Sequence, residues 1–248
     1  MRKKTIIMAI CLMVPMGLFA NRASQIIKKS EAAIRGRTQA AIIKVTIKTR
    51  RWKRSMTLRS YENKKQRKSF VEIIAPKKDA GNRFLLIRQS MKHFVPKLQR
   101  VIKISPSMML QSWMGSDFSN DDIVKESSIF EDYYHSLAGK KMVNGHYCYK
   151  VILKPKPKAA VVWGKLIYYS RVKDYLPVKE EFYNQRGVLK KIMTFSNFKW
   201  KGGRMIPTRY KMITVKKRNR YTMLDILKVR YNIRLPRYLF TLQNLKRR

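Results

Sequence analysis

A period of two governs this chain from Gly36 onward. In Ala41, Ile43, Val45 and Ile47 the odd positions are apolar, while Lys44, Thr46 and Lys48 face the other way. That is the pattern of a half-buried strand. It recurs over residues 55–61, 69–75, 83–87, 93–95, 100–104, 133–138, 147–154, 161–170, 178–183, 189–198, 206–214 and 223–233. Short polar turns separate the runs, among them Asn144-Gly145, residues 184–187 and Gly202-Gly203. So many closely spaced strands predict a continuous antiparallel meander, and a sheet of that size curls into a barrel or part-barrel instead of staying flat.

Two stretches break the alternation. Over 23–34, Ile26, Ile27, Ala33 and Ile34 stand at helical spacing, with Arg35 and Gly36 as a stop, which predicts one amphipathic N-terminal helix. Over 105–115, Ser105 is placed to cap a helix, Pro106 fits its first turn and Gly115 suits its end. Met109, Leu110, Trp113 and Met114 then share one face of a short helical lid. The fold class expected is mainly β, of the α+β kind: a curved antiparallel sheet forming a half-open barrel, with an N-terminal helix and that lid.

Before the helix, Arg2, Lys3 and Lys4 precede an uncharged apolar run from Thr5 to Phe19, and Ala20 offers a small residue before Asn21. This is the order of a secretory signal peptide over 1–20, and the run falls short of the roughly 20 residues of a membrane span. An uncleaved anchor helix is the alternative, because Leu18 is an imperfect residue two before Ala20. Lipidation at Cys11 is a weaker alternative, since Ile10 is bulky where a small residue belongs. Cleavage leaves residues 21–248 as a single domain of ordinary size. Cys148 is then its sole cysteine, so no internal disulfide supports the fold.

Net charge is +43, of which Arg2, Lys3 and Lys4 carry three, leaving +40 beyond residue 20. Such a field attracts polyanions. The basic residues are spread along the strands and not gathered in one arm, and a secreted chain does not meet DNA or ribosomes, so nucleic acid is not the expected partner. Anionic lipid headgroups are, at about 1 kcal/mol per Lys or Arg at a membrane. The competing reading is a basic shell with no partner at all.

Residues 117–132 form a negative island: Asp117, Asp121, Asp122, Glu126, Glu131 and Asp132 are six of the fourteen acidic residues. Ser119 and Asp122 have capping-box spacing. Capping of backbone N–H groups is the favoured role for Asp121 and Asp122; a docking patch formed by Asp117, Asp121 and Asp122 is the other. No phosphate loop, dinucleotide fingerprint or Gly-x-Ser-x-Gly elbow is present. His93, His135 and His146 lack ligand spacing, and the His146-x-Cys148 pair reads as packing on a strand. No cofactor, metal or catalytic residue is expected. Fourteen Met, thirteen Tyr, ten Phe and four Trp make an adaptable interior suited to apolar ligands, or simply a filled core.

The segment VIKISPSMMLQSWMGSDFSNDDIVKESS over 101–128 resembles the signature of the LolA-like outer membrane lipoprotein-sorting proteins. Further matches are GHYCYK at 145–150, AAVVWGK at 159–165, GGRMIP at 202–207 and FTLQNL at 240–245. The resemblance implies a half-open β-barrel in the periplasm whose apolar concavity shields acyl chains. It implies a non-enzymatic carrier of lipoproteins or other lipids, such as phospholipids, bound for the outer membrane. An inner-membrane transporter as donor, an outer-membrane acceptor and transient membrane contact come with it. On that reading Met109, Leu110, Trp113, Met114, Phe118 and Trp163 line or gate the cavity. The dense positive charge departs from the family pattern and leaves the docking partner open. A non-carrier envelope protein that binds anionic headgroups is the alternative; a lipid hydrolase is the weakest reading, for want of a nucleophile with a base.

Overall fold

A computed structural model describes residues 16–247 apart from 89, 110, 121, 123–128, 158, 160 and 218. The alternating runs form thirteen strands: β1 (Thr38–Lys48), β2 (Lys53–Asn63), β3 (Lys68–Ala75), β4 (Arg83–Ile87), β5 (Ser90–Val95), β6 (Arg100–Lys103), β7 (Tyr133–Val143), β8 (His146–Pro155), β9 (Lys165–Arg171), β10 (Pro177–Tyr183), β11 (Leu189–Lys201), β12 (Arg204–Thr214) and β13 (Tyr221–Tyr231). They make one sheet in the order β6-β5-β4-β3-β2-β1-β13-β12-β11-β10-β9-β8-β7. Two meanders are thus joined through the β1–β13 pair, and the strands left at the edges are β6 and β7. The result is a curved, unclosed antiparallel sheet, a half-open barrel.

Two strand boundaries differ from the sequence expectation by more than three residues. β7 runs to Val143 instead of stopping at 138, because a bulge at Leu137–Lys140 interrupts the alternation, with Gly139 at φ +86°. β9 starts at Lys165 and not at 161, since the Gly164 N–H turns to the Tyr183 carbonyl and the Val161 N–H closes a turn on Ala159.

Helix α1 (Met16–Ile34) begins upstream of the predicted 23–34 span, so the 20/21 boundary falls inside it. Its buried stripe is Ala23, Ile26, Ile27 and Ser30, the i, i+3, i+4, i+7 pattern of a helix lying on a sheet. That stripe packs on Tyr149, Val151, Leu153, Leu166, Tyr168, Phe182 and Met212, inside the β7–β12 half of the barrel. Ser30 Oγ lies 2.9 Å from the buried Tyr168 hydroxyl, and Ser24 Oγ lies 3.0 Å from His135 Nδ1. Burial pushes the Tyr168 hydroxyl pKa up and the His135 pKa down. The helix stops at Gly36, where a Cβ would stand 2.7 Å from the Thr38 carbonyl.

The other half is filled differently. Val45, Ile47, Met56, Leu58, Ile73, Phe84 and Met91 on β1–β5 pack against Trp113 of the segment between β6 and β7. Because β6 and β7 are opposite edges of the sheet, that connector has to cross the open side. Leu224 of β13 touches both clusters.

On the outer face, Phe70, Leu85 and Phe94 alternate with these inward residues and are covered by Leu239, Phe240 and Leu245 around helix α2 (Leu242–Lys246). The remaining outer face, with Val143, Cys148, Ile167, Tyr169 and Val178 as its buried layer, is cloaked by cations. Lys141 and Lys179 each stand 5.7 Å from the Tyr169 ring centre, Lys165 stands 4.1 Å from Tyr183 and Arg171 stands 4.2 Å from Phe198. Part of the positive charge therefore has a structural use: the lysine stems shield apolar strand faces, and Arg171, itself buried, is paired with Asp174.

Candidate functional site

The inward face of β1–β4 is apolar by alternation, and Ile43, Leu58, Val71 and Leu86 do not close the space above them. A hollow of about 160 Å³ remains there. Trp113, Phe118 and Leu224 complete its apolar lining, and Arg35, Glu62, Asn63, Lys64, Arg67, Lys68 and Arg88 form its rim. Drug-sized ligands occupy roughly 300–1,000 Å³, so the hollow as it stands admits only the beginning of a fatty tail.

The connector that roofs it is not the single helix expected over 105–115. It makes two 3-10 turns, Pro106–Met108 and Trp113–Gly115, with Met114 at φ +50°. The cause is a competing pairing: the Trp113 N–H donates to the Phe118 carbonyl at 2.8 Å and the Asn120 N–H to the Gln111 carbonyl at 3.0 Å. These bonds fold 111–120 into a loop and take the Trp113 donor and the Gln111 acceptor that a helix would have used. Trp113 is buried against Phe84, with ring centres 5.6 Å apart. Its Nε1 is buried and has no hydrogen-bond partner among the described residues.

Of the residues expected to line or gate a lipid cavity, Trp113 and Phe118 border this hollow, and Met109 and Met114 pack on the same cluster as Trp113. Leu110 lies outside the described residues. Trp163 sits apart, edge-on to Phe182 at 5.3 Å in the cluster around α1.

Asp117 and Asp122 are turned inward and act as anchors, not as an exposed docking patch. Asp117, only 4% exposed, accepts hydrogen bonds from Thr214 Oγ1 (3.0 Å), Thr222 Oγ1 (2.9 Å) and Arg220 Nε (2.9 Å). Asp122 and Ser119 form the expected reciprocal cap, at 2.8 and 3.0 Å. The Asp122 carboxylate also accepts from Trp163 Nε1 (3.2 Å) and Lys191 Nζ (2.6 Å). Asp121 and Glu126 lie outside the described residues. Backbone carbonyls of the roof are held too: Arg54 donates to that of Met114, and Arg220 to those of Gly115 and Ser116.

Sequence reasoning missed the floor residues Ile43, Leu58, Val71, Leu86 and Leu224 as a site, although their alternation was visible. It also missed Arg54, Lys191 and Arg220, whose partners are 60 or more residues away. Among the described residues, no group of three or more His, Cys, Asp or Glu side chains is placed to hold a metal ion. Burial pushes the Cys148 thiol pKa up to about 11, far from the reactive range.

Residues 65–247 match a family model described as an uncharacterized protein. The chain belongs to that family. Three solved structures share its fold, two of them described as a lipoprotein-sorting domain and a LolA superfamily protein. A DUF1329 family protein from Desulfovibrio piger is 19% identical, with a TM-score of 0.83 over 92% of this chain and 99% of that one. A putative outer membrane lipoprotein-sorting protein domain from Vibrio parahaemolyticus is 24% identical, with a TM-score of 0.79 over 92% and 100%. A LolA superfamily protein from Nitrosomonas europaea is 22% identical, with a TM-score of 0.73 over 90% and 98%. No curated protein matches the chain. Among the described residues no helix is long and apolar enough to cross a membrane.

Proposed function

We propose that this LolA-like protein is a non-enzymatic carrier that shields acyl chains of lipoproteins or other lipids on the concave face of its half-barrel. The supporting observation is the hollow over Ile43, Leu58, Val71 and Leu86, apolar below and roofed by a connector and not by another strand. Each methylene sheltered there contributes about 0.8 kcal/mol. About five of them match the roughly 4 kcal/mol that a buried ion-paired anchor can represent. A full tail therefore has enough free energy to displace the roof around Met109, Trp113 and Met114. Release follows when a competing apolar surface takes the tail.

The basic Arg2–Lys4 start and the apolar run to Phe19 support export to the periplasm by a cleaved leader. The fold likeness to a lipoprotein-sorting domain supports transfer from an inner-membrane donor toward an outer-membrane acceptor. Mass spectrometry of protein purified from its own envelope tests the carrier reading. Acyl lipid in near-equal amount to protein is the expected result, and protein free of lipid overturns it.

A second reading, an envelope protein that binds anionic headgroups through its surface, is favoured by one observation. Trp200 and Met205 are cross-strand partners at the tip of the β11–β12 hairpin, 70% and 40% exposed, among Lys199, Lys201 and Arg204. Arg204 Nη1 donates to the Ala32 and Arg35 carbonyls, so this tip adjoins the rim of the hollow. In the carrier reading the same tip serves as the transient membrane contact. Trp113→Ala separates the two: it changes lipid uptake for a carrier and leaves a surface binder unaffected.

A further inference from the structure

The rim of the hollow has a chemistry that its apolar floor does not require. It carries Arg35, Lys64, Arg67, Lys68 and Arg88 against a single carboxylate, Glu62. Glu62 is already engaged, by Arg35 at 2.5 Å and by Gln39 Nε2 at 2.7 Å, while Lys64 Nζ is held by Glu31 at 2.8 Å. Arg67 reaches the exposed Glu131. Among the described residues Lys68 and Arg88 enter no ion pair.

The two outer arginines are placed in an unusual way. Arg67 ends the β2–β3 turn at φ +49° and Arg88 follows β4 at φ +56°. A left-handed backbone is ordinarily given to Gly or Asn. The Arg88 N–H donates to the Arg67 carbonyl at 2.6 Å, so the two strained positions are locked side by side above the apolar floor. Strain at two arginines that contribute nothing to the core is the kind of local cost associated with a binding role.

We propose that Arg67 and Arg88 seat an anionic headgroup, phosphate in class, whose acyl tail lies over Ile43, Leu58, Val71 and Leu86. This deepens the carrier reading and rests on it. A guanidinium meets two phosphate oxygens at once, so two of them span the three free oxygens of a phosphomonoester. Glu131 is then the anion that the headgroup displaces from Arg67. A choline headgroup brings its own cation to this collar and is disfavoured; a neutral glyceride brings no charge for it to bind.

The test titrates the full chain with lysophosphatidic acid, with lysophosphatidylcholine and monoacylglycerol of the same tail, and with inorganic phosphate alone. It compares the natural protein with Arg67→Gly, Arg88→Gly and the double variant. Glycine suits both backbone positions, so these variants keep the fold, and an unchanged thermal midpoint confirms it. Lysophosphatidic acid is expected to bind most tightly and to lose about tenfold in affinity for each arginine removed. Monoacylglycerol affinity is expected to stay constant across the variants. Equal affinity for all three lipids, or equal losses across them, overturns the headgroup seat and leaves the carrier reading intact. Inorganic phosphate that binds as tightly as the lipid shows a free-anion site and overturns it too. If no lipid binds at all, the carrier reading falls as well.

Discussion

The carboxylate of Asp117 in the connector lies 2.9 Å from the guanidinium Nε of Arg220, more than a hundred residues later, just ahead of β13. Its side chain is 1% exposed against 22% for Arg220, so removing the acid strands a half-buried cation and two threonine hydroxyls. Asp117→Ala is expected to cost about 3 kcal/mol of stability, measured by urea unfolding. The same variant loosens the roof, so a fluorescent fatty acid is expected to load faster than into the natural protein. Unchanged loading would mean that Asp117 holds the barrel together without restraining entry.

Trp113 and Trp163 separate by burial. Trp113 is 5% exposed and lines the hollow, so Trp113→Ala is expected to cost about 4 kcal/mol and to enlarge the lipid space. Trp163 is half-buried and rests on Phe182, and Trp163→Ala is expected to cost about half as much. Its effect on lipid capacity is expected to be small. Trp113→Phe removes the unpartnered buried indole N–H, which offsets part of the lost packing. Thermal midpoints and bound-lipid ratios of the three variants check this ranking.

His93 stacks on Phe84 at 4.2 Å with its Nε2 2.9 Å from Asn82 Oδ1, and burial holds its pKa at about 4. An unfolded histidine titrates near 6.5. Between those values the unfolded chain binds the extra proton, so stability is full above about pH 6.5 and falls as pH drops toward 4. His135 acts in the same direction, lowered first by burial and further by Lys156, against the opposing bond to the Ile129 carbonyl. His93→Gln is expected to flatten part of the slope of thermal midpoint against pH in that window. An unchanged slope would assign the dependence to other groups.

The Trp200–Met205 pair gives a prediction for membranes. Trp200→Ala with Met205→Ala is expected to weaken binding to phosphatidylglycerol vesicles by about 2 kcal/mol with no loss of fold stability, because both side chains already face water. High salt is expected to remove the contribution of Lys199, Lys201 and Arg204 and leave the apolar part. Co-sedimentation at two salt concentrations separates them.

The strands were legible in the sequence because alternation is local: each residue of β1 reports its own face, and the positions of all thirteen strands follow from it. The Ser119–Asp122 cap was legible for the same reason, its two bonds spanning three residues. The roof over 105–115 was not. Its helical signals at Ser105, Pro106 and Gly115 are local, and they lost to the Trp113–Phe118 and Gln111–Asn120 pairings and to carbonyl bonds from Arg54 and Arg220. The inward turn of Asp117 and Asp122, which took them off the surface, likewise depends on Arg220, Thr222 and Lys191, brought close only once β11–β13 lie beside the connector. The sequence by itself determined the curved antiparallel sheet, the helix laid against it and the apolar character of its concave face. The tertiary structure decided which strands became edges, and so which segment crosses the open side. It also decided which inward positions stay unfilled and which arginines gather at the rim, because those depend on pairings between residues far apart in the chain that no local pattern encodes.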